Sequence, residues 1–276
     1  MILLFSIVIA FLPSFIWLAL FLREDVHPEP NRMIIRTFVA GMLSTIPTIA
    51  VEAALNCVFR GCVFPGAAPG TTPPFASPFL ALPETIRDFL YLFFGIAIVE
   101  ETMKFLAVRM SALKSREFDE PIDGLLYLII AALGFAAVEN AFTVTSQDVQ
   151  AAGFFGSGGI LVILGARSLS ATLLHTLASG IVGYFLAKSF FSKRPRHLLV
   201  TAGILVAALV HAAYNGFVSG LVQSGDAASP VGNVILLFVI TGVALLAMLR
   251  RLRSVSERHR WQNEGVSAQQ VDLLPR

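Results

Sequence analysis

Residues 122–145, with the sequence IDGLLYLIIAALGFAAVENAFTVT, decide the fold class of this chain. The part from 124 to 138 contains no charged residue. An α-helix rises about 1.5 Å per residue, so roughly 20 apolar residues are enough to cross the hydrocarbon layer of a bilayer. The segment therefore predicts a membrane-spanning helix.

Other segments have the same apolar character and are separated by Pro, Gly or polar residues. They predict an all-α, polytopic transmembrane helix bundle of about seven spans. The predicted spans run from Ile2 to Leu22, Met33 to Val58, Phe89 to Leu113, Ile122 to Thr145, Ile160 to Ala187, Leu198 to Val222 and Val231 to Leu249. A short extra or re-entrant piece between Gln150 and Gly165 would raise the number to about eight.

The overall composition agrees with a membrane protein. Of 276 residues, 56% are hydrophobic and only 14% are charged, with a mean hydropathy of +0.76. A soluble domain would carry about 25% charged residues. The net charge of +2 gives no reason to expect nucleic-acid binding. The expected partner is therefore the lipid bilayer and no nucleic acid.

The positions of Lys and Arg predict the orientation, because these residues concentrate in cytoplasmic loops. With Met1 outside, most of them fall in or beside cytoplasmic loops, whereas Arg60 and Arg87 fall on the outer side. We therefore expect the N-terminus outside and the C-terminus in the cytoplasm. The first span lacks a basic N-terminal region, which favours a retained helix over a cleaved signal peptide. Residues 1–253 are expected to form the transmembrane domain and residues 254–276 a polar cytoplasmic tail.

Cys57 and Cys62 are the only cysteines, and both fall at or just beyond the outer end of the second predicted span. An oxidising outer compartment would allow a disulfide across this short loop. Two unpaired thiols in an apolar setting are the alternative, and the sequence leaves both open.

Several ionisable side chains fall inside the predicted spans, where each costs at least about 2.5 kcal/mol to insert. Each is therefore a candidate for function rather than for packing alone. The polar residues inside the spans are Glu100, Glu101, Lys104, Glu139, Asn140, Arg167, His175, His211 and Asn215. Glu52 lies near the outer end of the second span and could simply reach the interface.

The sequence EETMK at 100–104 places Lys104 one helical turn from both Glu100 and Glu101. One lysine cannot neutralise two carboxylates, so the surplus carboxylate is available as a general base for water activation. An ion-paired helix contact without chemistry is the structural alternative. A proton-coupled transporter would also place carboxylates at this depth.

Two histidines lie in neighbouring predicted spans. His211 and Asn215 are one helical turn apart, and His175 is in the middle of the preceding span. A single intramembrane histidine usually forms a helix-to-helix hydrogen bond, but two together with several glutamates suggest a metal or acid–base site. His175, His211 and Glu139 are the candidate zinc ligands, with another glutamate as base. Water activation without a metal is equally compatible with the spacing.

A series of short motifs follows the same order as the polar residues. The motifs are EDVHPEP at 24–30, EExxK at 100–104, PxDG at 121–124, GFxxxEN at 134–140, Arg167 with His175, and HxxxN at 211–215. Together they resemble the PrsW-type intramembrane proteases, usually classed as metalloproteases and distantly related to the CAAX prenyl endopeptidases and bacteriocin-immunity membrane proteins. The first motif departs from the family at Glu24, usually Asp, and at His27, usually Glu.

The resemblance implies an integral protein of the bacterial cell membrane that hydrolyses peptide bonds of membrane proteins or peptides. It implies that Glu100 and Glu101 are catalytic carboxylates, one of them the base. Glu139, His175 and His211 would be the other core polar groups, and Asn215 would help to stabilise the oxyanion. The supporting residues would be Lys104, Arg167 and Asn140. The prenyl-endopeptidase branch generally has His in place of Glu139, which leaves the metal question open.

The roles of Asp123 and Arg167, and the function of the whole protein, each have an alternative. Asp123 is expected to cap the fourth predicted helix rather than to contact substrate. Arg167 could either pair with Glu139 or anchor its helix at the interface. For the whole protein, the alternatives to a protease are a proton- or ion-coupled transporter and a non-catalytic membrane scaffold. Inverted repeats would favour the transporter alternative, and no sequence similarity is visible between the two halves of the chain.

Overall fold

A computed structural model describes residues 7–24, 28–61, 77–145, 165–167, 169–224 and 228–263. The described residues form helices and connecting turns, and none of them forms a β-strand. In chain order the helices are α1 (Leu12–Phe21), α2 (Asn31–Arg60), α3 (Glu84–Leu90), α4 (Ile98–Ser111), α5 (Asp123–Thr145), α6 (Ala171–Lys188), α7 (Arg196–Ser224) and α8 (Ala228–Asn263). A π-helical segment, Tyr91–Ala97, joins α3 to α4. The all-α fold class is confirmed.

Within the part of the chain that the structure describes, five helices are long and apolar enough to cross a membrane. They are Asn31–Arg60, Asp123–Thr145, Gly165–Lys188, Arg196–Ser219 and Pro230–Val255. A shorter apolar helix, Ile7–Phe21, coincides with the first predicted span. The third predicted span falls on the continuous helical run from α3 to α4, which carries four charged residues in its second half. A membrane helix bundle is thus confirmed, whereas the number of about seven spans stays a prediction.

Helix α5 is the centre of the bundle. All residues from Asp123 to Ala137 are buried, and the helix packs against α1, α2, α4 and α6. A helix that is hydrophobic on every side is stable only when neighbours surround it. In contrast, α8 exposes large apolar side chains such as Ile235, Val239 and Val243. We therefore expect the outer helices to contact lipid and α5 to contact protein.

Glycines allow the closest helix approaches. A Cβ atom on Gly41 of α2 would lie 2.0 Å from the Ala131 carbonyl oxygen, and one on Gly134 of α5 would lie 2.0 Å from the Phe38 carbonyl oxygen. No side chain fits at either position, so the backbones of α2 and α5 are in direct contact. This contact holds α2 against the part of α5 that leads to the candidate site.

Polar contacts hold the predicted cytoplasmic end of α5. The Tyr127 hydroxyl donates to Glu29 Oε2 at 2.5 Å. Asp123 Oδ2 accepts hydrogen bonds from the backbone N–H groups of Asp119 and Glu120 at 3.0 and 2.7 Å. Asp123 therefore fixes the loop that enters α5. Residues 25–27 of the first motif lie outside the described residues.

Three expectations about the chain ends and loops have different outcomes. Cys57 is disulfide-bonded, while Cys62 lies outside the described residues. The possible extra membrane piece also falls outside them, between 150 and 164. Helix α8 continues to Asn263, so the division between a domain at 1–253 and a tail at 254–276 does not coincide with a helix end and stays a prediction.

Candidate active site

Helix α4 supplies the first charged residues of the site. It follows directly on the π-helical segment Tyr91–Ala97, and such segments are rare and frequent at functional sites. Lys104 Nζ donates to Glu100 Oε2 at 3.0 Å and to Glu101 Oε1 at 2.8 Å. Glu100 is 4% exposed, and the other two side chains are fully buried. The expected contact of one lysine with both carboxylates is therefore present.

Helices α6 and α7 bring two imidazoles to these carboxylates. His175 Nδ1 lies 2.8 Å from Lys104 Nζ, and His211 Nδ1 lies 3.2 Å from Glu101 Oε1. The two rings meet edge to face, with their centroids 5.2 Å apart. We call Glu100, Glu101, His175 and His211 the Glu/His cluster. Residues far apart in sequence thus meet in one buried place.

Ser179 is a member of the site that sequence reasoning missed. Its hydroxyl donates to Glu101 Oε2 at 2.7 Å, and the residue is fully buried. Ser179 lies one helical turn after His175, so both residues point from the same face of α6. That spacing could have identified Ser179 once His175 had been chosen.

Glu139 reaches the cluster from α5 through His175. Its Oε2 lies 2.5 Å from His175 Nε2. A lysine ammonium has only donors, so the His175 Nδ1 that faces Lys104 must accept. It follows that His175 Nε2–H donates to Glu139. The contact fixes both the tautomer and the orientation of the imidazole.

Arg167 and Asn140 support Glu139. Arg167 Nη2 lies 3.9 Å from Glu139 Oε2, and Arg167 Nε donates to Asn140 Oδ1 at 2.6 Å. Asn140 is fully buried and donates through Nδ2 to Thr172 Oγ1 at 3.2 Å. Of the two alternatives for Arg167, the structure shows the contact with Glu139.

Asn215 is the expected site residue on the next turn of α7 after His211, and it is half-buried. Within the described part of the chain, it makes no hydrogen bond to the Glu/His cluster. Its position on the same helix face as His211 still directs it towards the same side of the site.

The Glu/His cluster has the composition of a metal site. Its members each offer one ligand atom, and these atoms all lie within 4.8 Å of one another. Imidazoles and carboxylates are suitable zinc ligands. Glu139, expected as a ligand, is outside this group and lies behind His175, where metal-bound histidines usually have a carboxylate partner. Lys104 Nζ already contacts three of the four residues, so the cluster is built to surround a positive charge.

A cavity of about 200 Å³ lies beside Glu139, between α2 and α5. Its lining comprises Thr45, Thr48, Ile49, Glu52, Phe135, Glu139, Phe142, Thr143 and Arg167. The side chain of Glu139 is 30% exposed, much more than the Glu/His cluster. The cavity thus borders the site at Glu139, and Glu52 belongs to its wall.

A membrane helix bundle around a buried group of carboxylates and imidazoles defines a membrane protein able to perform acid–base or metal chemistry in its interior. The sequence profile described as PrsW family intramembrane metalloprotease matches residues 29–247. The chain belongs to this family. The matched range contains every candidate residue from Glu100 to Asn215.

Individual relatives agree with the profile. The chain is 27% identical over 196 residues to "Protease PrsW" of Geobacillus kaustophilus, covering 71% of each chain. It is 25% identical to "Protease PrsW" of Oceanobacillus iheyensis over 75% of this chain and 80% of that one. For Bacillus subtilis the identity is 24%, over 73% and 76% of the chains. No solved structure matches the chain. The protein is therefore a membrane peptidase.

Proposed function

We propose that the protein is an intramembrane endopeptidase that hydrolyses peptide bonds of membrane-associated proteins with water activated by a glutamate. The observation that carries the proposal is the Glu/His cluster, which is buried inside a member of a metalloprotease family. Burying several ionisable groups in the interior of a membrane bundle costs free energy, so such groups indicate a functional site.

Glu100 is the better candidate for the base. Glu101 accepts from Lys104, Ser179 and His211, so both of its oxygens are occupied. Within the described segments, Glu100 accepts a hydrogen bond from Lys104 alone, through Oε2. A general base needs a free lone pair that can reach water. We therefore assign water activation to Glu100 and a fixed, ligand-holding role to Glu101.

The histidines are held so that each presents one lone pair to the site. His175 presents Nδ1, because its Nε2–H donates to Glu139. His211 donates through Nδ1 to Glu101, which leaves Nε2 as its lone-pair atom, 3.9 Å from Glu100 Oε2. Arg167 positions Glu139 through its contact with the carboxylate, and Asn140 holds Arg167 by a hydrogen bond.

The residues fit a divalent metal, and we propose zinc. His175 and His211 would hold it together with a carboxylate of Glu101, and Lys104 would give up its contact with His175. When bound, zinc would make water more acidic and polarise the substrate carbonyl group. The chain itself would supply Glu100 to accept the proton. Asn215 would donate its side-chain amide to the carbonyl oxygen as negative charge develops.

Activity is tested in reconstituted full-length protein with a single-span membrane peptide as substrate. Glu100→Gln and His211→Ala are expected to lower turnover at least about a hundredfold, as for loss of a general base or of a metal ligand. Glu84→Gln is the matched control, because Glu84 is 79% exposed at the start of α3. Unchanged cleavage by Glu100→Gln and His211→Ala would contradict the proposed site.

Metal content is a separate test. Purified wild-type protein is expected to hold about one zinc per chain, and His175→Ala or His211→Ala should lose it. Elemental analysis and thermal stability with and without a chelator measure this independently of activity. Full activity in a chelator, without bound metal, would refute the zinc assignment and leave the glutamate mechanism.

A further inference from the structure

Glu52 is a half-buried residue that the proposed mechanism does not use. It lies on α2 in the wall of the cavity beside Glu139. Its Oε1 is buried and has no hydrogen-bond partner among the described residues. A buried carboxylate oxygen without a donor is unfavourable, so such groups usually have a partner that the protein chain does not provide.

The other polar groups of the cavity wall donate elsewhere. Thr45 Oγ1 donates to the Met42 carbonyl oxygen, and Thr48 Oγ1 donates to that of Ser44. Thr143 Oγ1 donates to the Glu139 carbonyl oxygen. The hydroxyl groups in this wall are therefore satisfied by their own helices and leave Glu52 without a donor.

The charges around the cavity lead to the same conclusion. Among the described residues of the wall, Arg167 is the only cation, and it faces Glu139 and Asn140. Glu139 also accepts from His175. Glu52 thus has no cation beside it in the described part of the wall, and a positively charged group entering from outside would be attracted to it.

The cavity borders the candidate active site. Glu139 and Phe135 both line it. Glu139 bonds to His175, and the Phe135 ring lies 5.7 Å from the His175 ring. A substrate side chain placed in this cavity would therefore belong to a residue close to the bond that is cut.

We propose that this cavity receives a substrate side chain next to the scissile bond and that Glu52 selects a basic side chain, Lys or Arg, at that position. This inference rests on the proposed endopeptidase function. A long, flexible side chain can fill the cavity with its apolar stem against Ile49 and Phe142 and place its charged end at Glu52.

The test uses single-span peptides in which each position of the segment flanking the apolar helix is in turn Lys, Gln or Glu. Cleavage by reconstituted wild-type protein is followed by mass spectrometry, which also gives the cut position. We expect one position at which kcat/KM for Lys exceeds that for Gln by about tenfold or more, the effect of one hydrogen bond to a charged group. Glu52→Gln should abolish this ratio, and Glu52→Lys should favour the Glu peptide.

Glu84→Gln is again the matched control, since it removes one negative charge from an exposed position. It should keep the wild-type ratio. Equal Lys and Gln rates in the wild type, or an unchanged ratio in Glu52→Gln, would overturn the proposal while leaving the endopeptidase function intact.

A binding measurement tests the pocket for a basic side chain independently of the endopeptidase function. The same labelled peptides are titrated against Glu100→Gln and against Glu52→Gln/Glu100→Gln, and fluorescence anisotropy gives their affinities. We expect a Lys preference of about tenfold in the first protein and none in the second. If this Glu52-dependent Lys preference is found and the wild-type protein cuts none of the peptides, the pocket is supported and the endopeptidase function is contradicted. Binding without a Lys preference would overturn the pocket.

Discussion

Glu100 and Glu101 are adjacent in sequence, yet they have different surroundings. Glu101 uses both carboxylate oxygens, Oε1 towards Lys104 and Oε2 towards Ser179. Glu100 uses Oε2 alone in its hydrogen bonds to described residues. A glutamine has one oxygen and one NH₂ group, so it can replace Glu100 but must direct a donor at a donor in place of Glu101.

The two Glu→Gln variants are therefore expected to separate stability from catalysis. Glu101→Gln should lower the free energy of unfolding by about 3 kcal/mol or more, because it breaks a buried charged network. Glu100→Gln should lose activity about 10²–10⁴-fold with a much smaller loss of stability. Thermal unfolding in detergent and peptide cleavage measure the two effects. Equal destabilisation by both variants would contradict the different roles.

At the scale of elements, helix contacts place the site residues. Gly41 and Gly134 let α2 and α5 touch, and Gly183 lets α6 approach the backbone of α5 at Leu125. These contacts bring His175 of α6 and Glu139 of α5 to hydrogen-bonding distance. Small residues are needed because helices in lipid associate through close packing rather than through the hydrophobic effect.

Gly134→Ala is expected to separate α2 from α5, because its methyl group would overlap the Phe38 carbonyl oxygen. Overpacking of this kind costs about 1–3 kcal/mol or more. Cleavage should fall as well, since Glu139 is on the same helix. Gly242→Ala is the control, because nothing lies within 4 Å of a Cβ atom there. If Gly134→Ala were as stable as Gly242→Ala, the close backbone contact would be wrong.

At the scale of the whole molecule, the orientation in the membrane decides which side the substrate comes from. The distribution of Lys and Arg predicts an outer N-terminus and a cytoplasmic C-terminus. Glu52 and Glu139 would then lie in the outer half of the membrane. A substrate would accordingly be cut nearer the outer surface than the cytoplasmic one.

Reporter fusions test this orientation. A green fluorescent protein at the C-terminus should fluoresce, whereas alkaline phosphatase at the same place should be inactive, because the enzyme needs an oxidising compartment for its disulfides. Alkaline phosphatase inserted between residues 65 and 75, in the predicted outer loop, should be active. The reverse pattern would show that the charge distribution was misinterpreted.

The sequence alone determined the fold class and most of the candidate site. An apolar segment that is long enough to cross a bilayer as a helix has few structural alternatives. Charged residues inside such a segment are conspicuous because their insertion into the membrane is costly. For this reason Glu100, Glu101, Glu139, His175 and His211 could be chosen before any contact was known.

Only the tertiary structure decided which of these residues are in contact and which of them contact each other through a third residue. Spacing along one helix predicts neighbours on that helix, as for Lys104, but it contains no information on how far helices slide or rotate against each other. The position of Glu139 behind His175, the contact of Ser179 with Glu101 and the place of Glu52 in the cavity all depend on contacts between different helices. The backbone contacts of glycines set those distances, and a sequence pattern does not encode them.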